Sequence, residues 1–235
     1  MARYVVGDLH GRFDLYQEIE KFRKSGDKVI CLGDCGDRGP RSYETIKAVA
    51  NNPDWTYMMG NHEHMTLAAL EEEALGIESQ DYDLGGVAVS YYNGGAQTFE
   101  DLMKDEPAKW IEFFRSLPYH ITVDSDTGYH VVLTHAGFDL TAKKVENYDL
   151  IWDRSHISLP WPVGSLYENL VLIHGHTPIP TIYKDWKPED GSLSYADGHK
   201  IDIDAGSVWT GASILFDLDT FDEHIFQVED KNDDS

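Results

Sequence analysis

The sequence is poor in cysteine and in long apolar runs. Only two of its 235 residues are cysteines, Cys31 and Cys35, so a disulfide framework is excluded and a reducing compartment is expected. No apolar stretch approaches the roughly 20 residues of a membrane span, and the first residues hold no apolar run typical of a signal peptide. We therefore expect a cytoplasmic protein with no membrane partner.

Positive charge is also scarce. The chain has 19 lysines and arginines against 42 aspartates and glutamates, and its net charge is −23. Such a field repels the phosphates of nucleic acid, so we expect no nucleic-acid partner. It also repels anionic substrates, unless bound cations reverse the sign at one place.

Apolar runs typical of strands alternate with amphipathic segments typical of helices in the first third of the chain. Strand–helix–strand units of this length form parallel pairs with right-handed crossovers. The strands are predicted at 3–6, 28–32 and 55–60, and the helices at 13–26, 41–52 and 62–76.

The rest of the chain changes from helical to strand-rich character. Residues 77–117 predict one or two helices, and turn signals at 124–128 and at Asp197-Gly198 predict two hairpins. The fold class is therefore α/β: two sheets in a sandwich flanked by helices, with a βαβαβ N-terminal half. We expect one domain over 1–235, frayed at its acidic end, 229–235. The later strands are predicted at 119–123, 129–136, 169–177, 192–198, 199–206 and 212–220.

Polar side chains follow the predicted strands at the points where they end. Because parallel strands bring their carboxyl ends to one rim, we expect these side chains to converge. Imidazoles mixed with carboxylates suit Mn, Fe, Zn, Co or Ni, and about seven candidate ligands are more than one cation needs. Two cations bridged by a carboxylate would polarise a phosphoryl group. The groups are Asp8 and His10; Asp34, Asp37 and Arg38; Asn61, His62, Glu63 and His64; and, later, His135, His174 and His176.

Five motifs in this order resemble those of the PPP phosphoprotein phosphatases, within the calcineurin-like metallophosphoesterases. They are GDLHG at 7–11, GDCGDRG at 33–39, GNHE at 60–63, THAG at 134–137 and GHTP at 175–178. The compact bacterial and bacteriophage lambda-type serine/threonine phosphatases are the most similar branch, over roughly residues 3 to 220. The resemblance implies the calcineurin-like metallophosphoesterase fold.

The same resemblance implies an activity. We expect a hydrolase of phosphomonoesters, a serine/threonine or dual-specificity protein phosphatase, with a metal-bound hydroxide as the nucleophile. Two divalent metal ions are implied, Mn before Fe, Zn, Co or Ni. The expected partner is a phosphorylated protein or peptide, and the chain is expected to be a monomer.

The resemblance also implies roles for single residues. His62 would be the general acid, with Asp37 holding its other ring nitrogen, which fixes the tautomer and raises the imidazole pKa. Arg38 and Arg154 would bind the phosphate oxygens through their planar guanidinium groups, together with Asn61. The implied metal ligands are Asp8 and His10 for the first ion, Asp34 as the bridge, and Asn61, His135 and His176 for the second, with His176 preferred to His174.

One pair of residues departs from the family pattern, and two other functions stay open. The usual apolar residue before the second Asp of GDxxDRG is replaced by Gly36, which we expect to loosen the loop. We hypothesise that oxidation of Cys35 disturbs metal loading. The alternative enzyme is a symmetric dinucleoside tetraphosphate hydrolase or another nucleotide phosphoesterase, although the tetraphosphate hydrolases usually lack the Asp found here at Asp37. A non-enzymatic pseudophosphatase would have lost a ligand or the acid, and every such position is filled.

Overall fold

The computed structural model describes residues 1–229, so most of the acidic end expected at 229–235 lies outside the described part of the chain. In the described part of the chain, ten strands form two five-stranded sheets. In chain order the strands are β1 Arg3–Val6, β2 Lys28–Cys31, β3 Trp55–Tyr57, β4 His120–Asp124, β5 His130–Thr134, β6 Leu170–His174, β7 Leu193–Tyr195, β8 Lys200–Asp202, β9 Ala212–Asp217 and β10 Glu223–Gln227.

The helices lie mostly in the first half of the chain. Within residues 1–229, none of them is both long and apolar enough to cross a membrane. They are α1 Phe13–Phe22, α2 Ser42–Asn51, α3 Asn61–Leu75, α4 Gly86–Tyr92, α5 Ala96–Lys104, α6 Pro107–Arg115, α7 Asp149–Trp152, α8 Ile179–Ile182 and α9 Ser207–Thr210, with 3-10 helices at Ser155–Ser158 and Pro188–Asp190.

The first sheet has the order β10-β9-β1-β2-β3. The predicted βαβαβ unit is confirmed, because β1 pairs in parallel with β2, and β2 with β3. Strand β9 runs antiparallel to β1. Strand β10 was not predicted. It is half-buried at the sheet edge and pairs antiparallel with β9, so its pattern is weaker than that of a buried strand.

The second sheet has the order β4-β5-β6-β8-β7. Both predicted hairpins are present, as the antiparallel pairs β4–β5 and β7–β8. Ala196 and Asp197 in the second hairpin have φ of 52° and 55°, as expected of a tight turn of this kind. Strand β6 stops at His174, before the predicted end at 177, because the chain turns there into a loop.

Three helices occupy the segment 77–117, where one or two were expected. Helix α4 ends before Gly94, whose φ of 87° is not helical, and α5 ends before Glu106, whose φ is 52°. Pro107 then begins α6, as proline does at a first helical position. The breaks are local backbone features between otherwise continuous helical patterns.

The two larger of three apolar clusters found within residues 1–229 fill the layers of this sandwich. Val5 of β1 and Ile214 of β9 belong to one cluster with Val131 and Ile173 of the second sheet, so this core lies between the sheets. A second cluster joins residues of α1, α2, α3, α5 and α6 to the other face of the first sheet. The predicted two-sheet sandwich with helices outside is confirmed.

Candidate metal centre

The six predicted metal ligands lie together at one end of the sandwich. Asp8, Asp34 and Asn61 follow β1, β2 and β3, and His135 and His176 follow β5 and β6. The side chains are buried: Asp8, His10, Asp34, Asn61, His135 and His176 are each exposed by 5% or less. A cluster of carboxylates and imidazoles with so little water around it requires cations or protons to balance its charge.

Asp34 lies at the middle of the cluster. Its Oδ2 is 3.7 Å from His10 Nε2 and 3.4 Å from His135 Nε2. Two groups of potential ligand atoms, each within 4.8 Å of one another, share this residue: His10, Asp34 and His62, and Asp34, His135 and His176. The second group lies within the predicted ligand set, whereas the first contains His62 in place of Asp8. With Asp8 added, the donor set fits two cations that share Asp34.

Asp8 and Asn61 complete the two sides. Asp8 Oδ2 lies 4.0 Å from His10 Nε2. Asn61 Oδ1 lies 2.9 Å from His135 Nε2 and 2.8 Å from His176 Nδ1. His174 points elsewhere, with its Nε2 3.3 Å from that of His156. His176 thus lies within the cluster and His174 outside it, and the metal-ligand role of His176 stays a prediction.

The turns that carry these side chains have unusual backbone conformations. His10, Asp34, Asp37, Arg38 and His176 all have φ between 42° and 68°. Such values are uncommon for residues with a Cβ, and they cluster at functional sites where surrounding structure enforces them.

A glycine allows the turns after β2 and β3 to approach each other. A Cβ on Gly33, whose φ is 114°, would lie 2.5 Å from the backbone nitrogen of Gly60. The two turns therefore meet backbone to backbone, which brings Asp34 and Asn61 into one site.

Glu63 holds these two turns together, a role that the sequence analysis did not assign. Its buried carboxylate accepts hydrogen bonds from the backbone nitrogens of Asp34 at 2.6 Å, Cys35 at 3.0 Å and Gly60 at 3.1 Å. Tyr57 donates a fourth, at 2.7 Å. The available signal was the Gly60–Glu63 spacing, since a carboxylate at this position of a first helical turn commonly bonds back to the chain before it.

The electrostatics of the cluster also fit a cation site. Burial, together with the charges of Asp204 and Asp34, raises the pKa of Asp8 well above its ordinary value. Burial, together with His62, lowers the pKa of His10 to about 3, so its imidazole is neutral and has a lone pair to donate. Within residues 1–229, His176 Nε2 and Asp204 Oδ2 are buried without a hydrogen-bond partner. Bound divalent cations would satisfy these groups.

His62 and Asp37, the residues predicted to act as the acid and its support, are in contact. His62 Nδ1 lies 2.7 Å from Asp37 Oδ2, and both side chains are 1% exposed. Burial alone would lower the pKa of His62, but the carboxylates of Asp34 and Asp37 raise it above its ordinary value. Its other ring nitrogen, Nε2, has no hydrogen-bond partner among the described residues. This imidazole can therefore carry a proton at Nε2 that nothing else holds.

Both predicted arginines line the cleft above the cluster. The cleft has a volume of about 410 Å³, and Asn61, His176 and Trp209 also contribute to its wall. Arg38 donates from Nη1 to His10 Nε2 at 3.0 Å, whereas Arg154 has no ion pair within residues 1–229. Both residues are exposed, so their guanidinium groups can reach an anion that enters the cleft.

The Cys35-Gly36 pair is tightly packed, and the expectation that Gly36 loosens its loop stays a prediction. A Cβ at Gly36 would lie 2.5 Å from Ile46 Cδ1 of α2, so the glycine allows close packing. Cys35 and Cys31 are fully buried, with their sulfur atoms 2.9 Å apart. Burial, together with Cys31, raises the pKa of Cys35 well above its ordinary value. The oxidation hypothesis for Cys35 stays a prediction.

The sequence is similar to those of known proteins, over most of its length in one case and over a shorter part in another. The family profile described as calcineurin-like phosphoesterase matches residues 1–206. Serine/threonine-protein phosphatase 2 of Escherichia coli (strain K12) is 30% identical over 213 residues, 82% of this chain and 90% of the relative. A symmetrical bis(5'-nucleosyl)-tetraphosphatase of Psychromonas ingrahamii is 42% identical over 72 residues, 29% of this chain and 26% of the relative.

Solved structures share the fold. A protein serine/threonine phosphatase from Saccharomyces cerevisiae has a TM-score of 0.56 at 17% identity, over 99% of this chain and 82% of that one. A metallophosphoesterase from Sphaerobacter thermophilus has a TM-score of 0.54 at 19% identity, over 97% of this chain and 88% of that one. With the motifs and the family match, these findings assign the chain to the calcineurin-like phosphoesterases.

Proposed function

We propose that this phosphatase removes phosphate from serine and threonine side chains of proteins, with a dinuclear manganese centre. The observation that carries the proposal is the buried His62–Asp37 pair, at 2.7 Å, beside a cleft lined by Arg38 and Arg154. An acid and two anion-binding side chains next to a cluster of metal-ligand residues are what hydrolysis of a phosphomonoester needs.

Asp8, His10, Asp34, Asn61, His135 and His176 would hold the two ions. When bound, the ions supply Lewis acidity and lower the pKa of a coordinated water. Carboxylate and imidazole donors, with one amide oxygen, suit Mn²⁺ as they suit Fe, Zn, Co or Ni, and Mn²⁺ is preferred here on the family resemblance.

The remaining residues act on the substrate. Arg38 and Arg154 bind the phosphate oxygens and stabilise the charge that develops on them. His62 donates the proton at Nε2 to the departing oxygen of the serine or threonine. Asp37 keeps the proton of Nδ1 in place, so that Nε2 faces the cleft in the donating form. Water is the nucleophile, so no phosphoenzyme is required.

Support for a protein substrate comes from the extent of the resemblance. The relative named as a serine/threonine-protein phosphatase matches over 82% of this chain, and the relatives named as tetraphosphatases match over about a third or less. The second candidate, a symmetric dinucleoside tetraphosphate hydrolase, is favoured by the higher identity of that shorter match, 42%.

A substrate panel tests the proposal. The Mn²⁺-loaded protein is assayed on phosphoserine, phosphothreonine and phosphotyrosine peptides, and on diadenosine tetraphosphate, with kcat/KM measured for each. We expect the highest values for the serine and threonine peptides. A higher kcat/KM for diadenosine tetraphosphate would overturn the protein-phosphatase proposal in favour of the second candidate.

A matched variant ties the result to the site. Arg154→Ala should lower kcat/KM for every accepted phosphate ester, because it removes a group that binds the phosphate itself. Lys184→Ala, at an exposed lysine, should leave all values unchanged.

A further inference from the structure

Lys200 is a buried lysine in the second sheet. The residue lies on β8 and is 2% exposed. Its Nζ donates to the backbone oxygen of His156 and, at 2.8 Å, to that of Leu159. No carboxylate within residues 1–229 forms an ion pair with it. A lysine is rarely buried without a partner, so two main-chain carbonyls here replace the water that the ammonium loses.

The two carbonyls belong to the segment that carries Arg154. This arginine directly precedes the 3-10 helix Ser155–Ser158, and Leu159 is the residue that ends it. The carbonyl end of a helix favours a positive charge, which Lys200 supplies from inside the protein. At the other end, Asp153 accepts a hydrogen bond from the backbone nitrogen of Ser155 at 2.8 Å. The backbone after Arg154 is therefore fixed on both sides.

The side chain of His156 anchors the same segment to the sheet. It is fully buried, and its ring lies perpendicular to that of His174, with 4.6 Å between centroids. Its Nε2 is 3.3 Å from His174 Nε2 and 3.3 Å from the Tyr195 hydroxyl. His156, His174 and Lys200, which are buried, and the half-buried Tyr195 form a polar group that we call the Lys200 cluster.

The Lys200 cluster is continuous with the metal centre. His174 ends β6, and His176, two residues later, lies beside Asn61 in the site. A Cβ on Gly137, two residues after His135, would lie 2.5 Å from His156 Nε2, so the loop after β5 passes directly over the His156 ring. The segment that carries Arg154 is thus packed against both loops that deliver histidines of the second sheet.

The cluster does not resemble a further metal site. Two imidazole nitrogens and a phenol oxygen converge, but the ammonium of Lys200 lies 5.6 Å from the centre of the Tyr195 ring. A cation added there would be repelled by this charge in a medium without water. The contacts are those of a structural hydrogen-bonded group.

We propose that Lys200, through the Lys200 cluster, positions Arg154 for binding of the substrate phosphate. The proposal rests on the proposed function only in that Arg154 binds phosphate. Within residues 1–229 the Arg154 guanidinium has no ion pair, and the anchored backbone sets the point from which its side chain reaches into the cleft. A displacement of about 1 Å in such a group can cost about 10²-fold in rate.

A double-mutant cycle tests the proposal. Lys200→Met keeps most of the apolar stem and removes the ammonium. With Mn²⁺-loaded protein and p-nitrophenyl phosphate, we expect kcat/KM to fall by about 10-fold to 100-fold, and the inhibition constant of inorganic phosphate to rise in parallel. In the Arg154→Ala background the same substitution should change both values by less than about twofold. Equal losses in the two backgrounds, or no loss in the first, would overturn the proposal.

Two controls keep the result interpretable. Lys184→Met changes an exposed lysine and should leave both constants unchanged. If Lys200→Met does not fold, as judged by thermal melting and metal content, the cycle is run with Tyr195→Phe, which removes only a hydroxyl of the Lys200 cluster. The Tyr195→Phe effect must also disappear without Arg154, and an effect of equal size in both backgrounds overturns the proposal.

The outcome is separable from that of the proposed function. A protein-phosphatase assignment fails on the peptide panel, whereas the cycle uses an aryl phosphate and the product phosphate. If the wild type hydrolyses neither peptides nor p-nitrophenyl phosphate, the affinity for inorganic phosphate is measured by calorimetry for the four Mn²⁺-loaded proteins of the cycle. These are the wild type, the two single variants and the double variant, and their affinities give the coupling between Lys200 and Arg154. Additive losses of phosphate affinity would again contradict the proposal.

Discussion

The two sheets supply their parts of the site in different ways. The first sheet delivers Asp8, Asp34 and Asn61 from adjacent parallel strands, through short glycine-containing turns that bond to one another. The second sheet delivers His135 and His176, and the segment with Arg154 is held beside them by contacts with residues distant in sequence. The first part is built from local turns and the second from long-range packing. Substitutions in the two parts should therefore have different effects on metal affinity, activity and stability.

The largest effect is expected where the two parts meet, at Asp34. Asp34→Asn removes a charge that lies between His10 and His135, so both candidate cation groups lose their shared carboxylate. Metal affinity should fall by more than about 100-fold, the upper range for a residue that only supports a ligand. Elemental analysis after dialysis measures the loss, and Asp83→Asn at an exposed position is the control. Full manganese content in Asp34→Asn would refute the bridging role.

His62→Asn should have the next largest effect, on chemistry rather than on metal content. We expect kcat on a phosphoserine peptide to fall by about 10²–10⁴-fold, the usual contribution of a positioned acid. With p-nitrophenyl phosphate the loss should be much smaller, because nitrophenolate leaves without a proton. The same loss on both substrates, or loss of metal, would show that His62 is a ligand and not the acid.

Glu63→Gln tests the turns of the first sheet. The glutamine side chain has the same size as glutamate. Its NH₂ group, however, cannot accept the backbone N–H hydrogen bond that a carboxylate oxygen of Glu63 accepts in the wild type. Metal affinity should fall by about 10–100-fold. Glu72→Gln on the same helix is the matched control, because Glu72 accepts a backbone N–H of α4 away from the site. Glu72→Gln should lower the melting temperature and leave metal affinity unchanged. Equal metal affinities in the Glu63→Gln and Glu72→Gln variants would contradict the role of Glu63.

Asp37→Asn should change the pH dependence of kcat. His62 acts in its protonated form, so activity is present below its pKa and is lost as the pH rises through it. Because the Asp37 carboxylate helps to raise that pKa, its removal should move the alkaline limb of the kcat profile to lower pH. The acidic limb should stay in place. An unmoved alkaline limb would mean that the limb belongs to another group.

The smallest effect is expected at Gly36, and on stability alone. Gly36→Ala should lower the free energy of unfolding by about 1–3 kcal/mol, because the new methyl overlaps Ile46 Cδ1. Ile46→Val removes that atom, so the double variant should be more stable than the sum of the two single changes predicts. Urea unfolding of the four proteins measures this. Additive losses would show that the packing contact does not explain the glycine.

The difference between the sheets also explains what could be predicted from sequence. The residues of the first sheet lie in short motifs, where a strand end, a glycine and a polar residue are neighbours in the chain, so Asp8, Asp34 and Asn61 could be recognised directly. His135, His174 and His176 were also found at strand ends, but only the family resemblance separated His176 from His174 and pointed to Arg154.

Roles that depend on tertiary contacts could not be read from the pattern. Lys200 looks like an ordinary strand lysine, and only the fold shows that its ammonium is buried against a distant loop. The packing against Gly36 was missed for the same reason, since the side chain that excludes a Cβ comes from the following helix. Strand β10 was missed because its edge position leaves it half-exposed.

The position of Asp34 between the sheets has a consequence for folding. Ligands of the proposed ions come from both layers, so high metal affinity requires the layers to be stacked, and metal binding reports on the complete fold. A metal at 1,000 times its dissociation constant would add about 4 kcal/mol to the free energy of unfolding. The ions would then stabilise the stacking of the two layers. A chelator would therefore lower the melting temperature of this phosphatase as well as its activity.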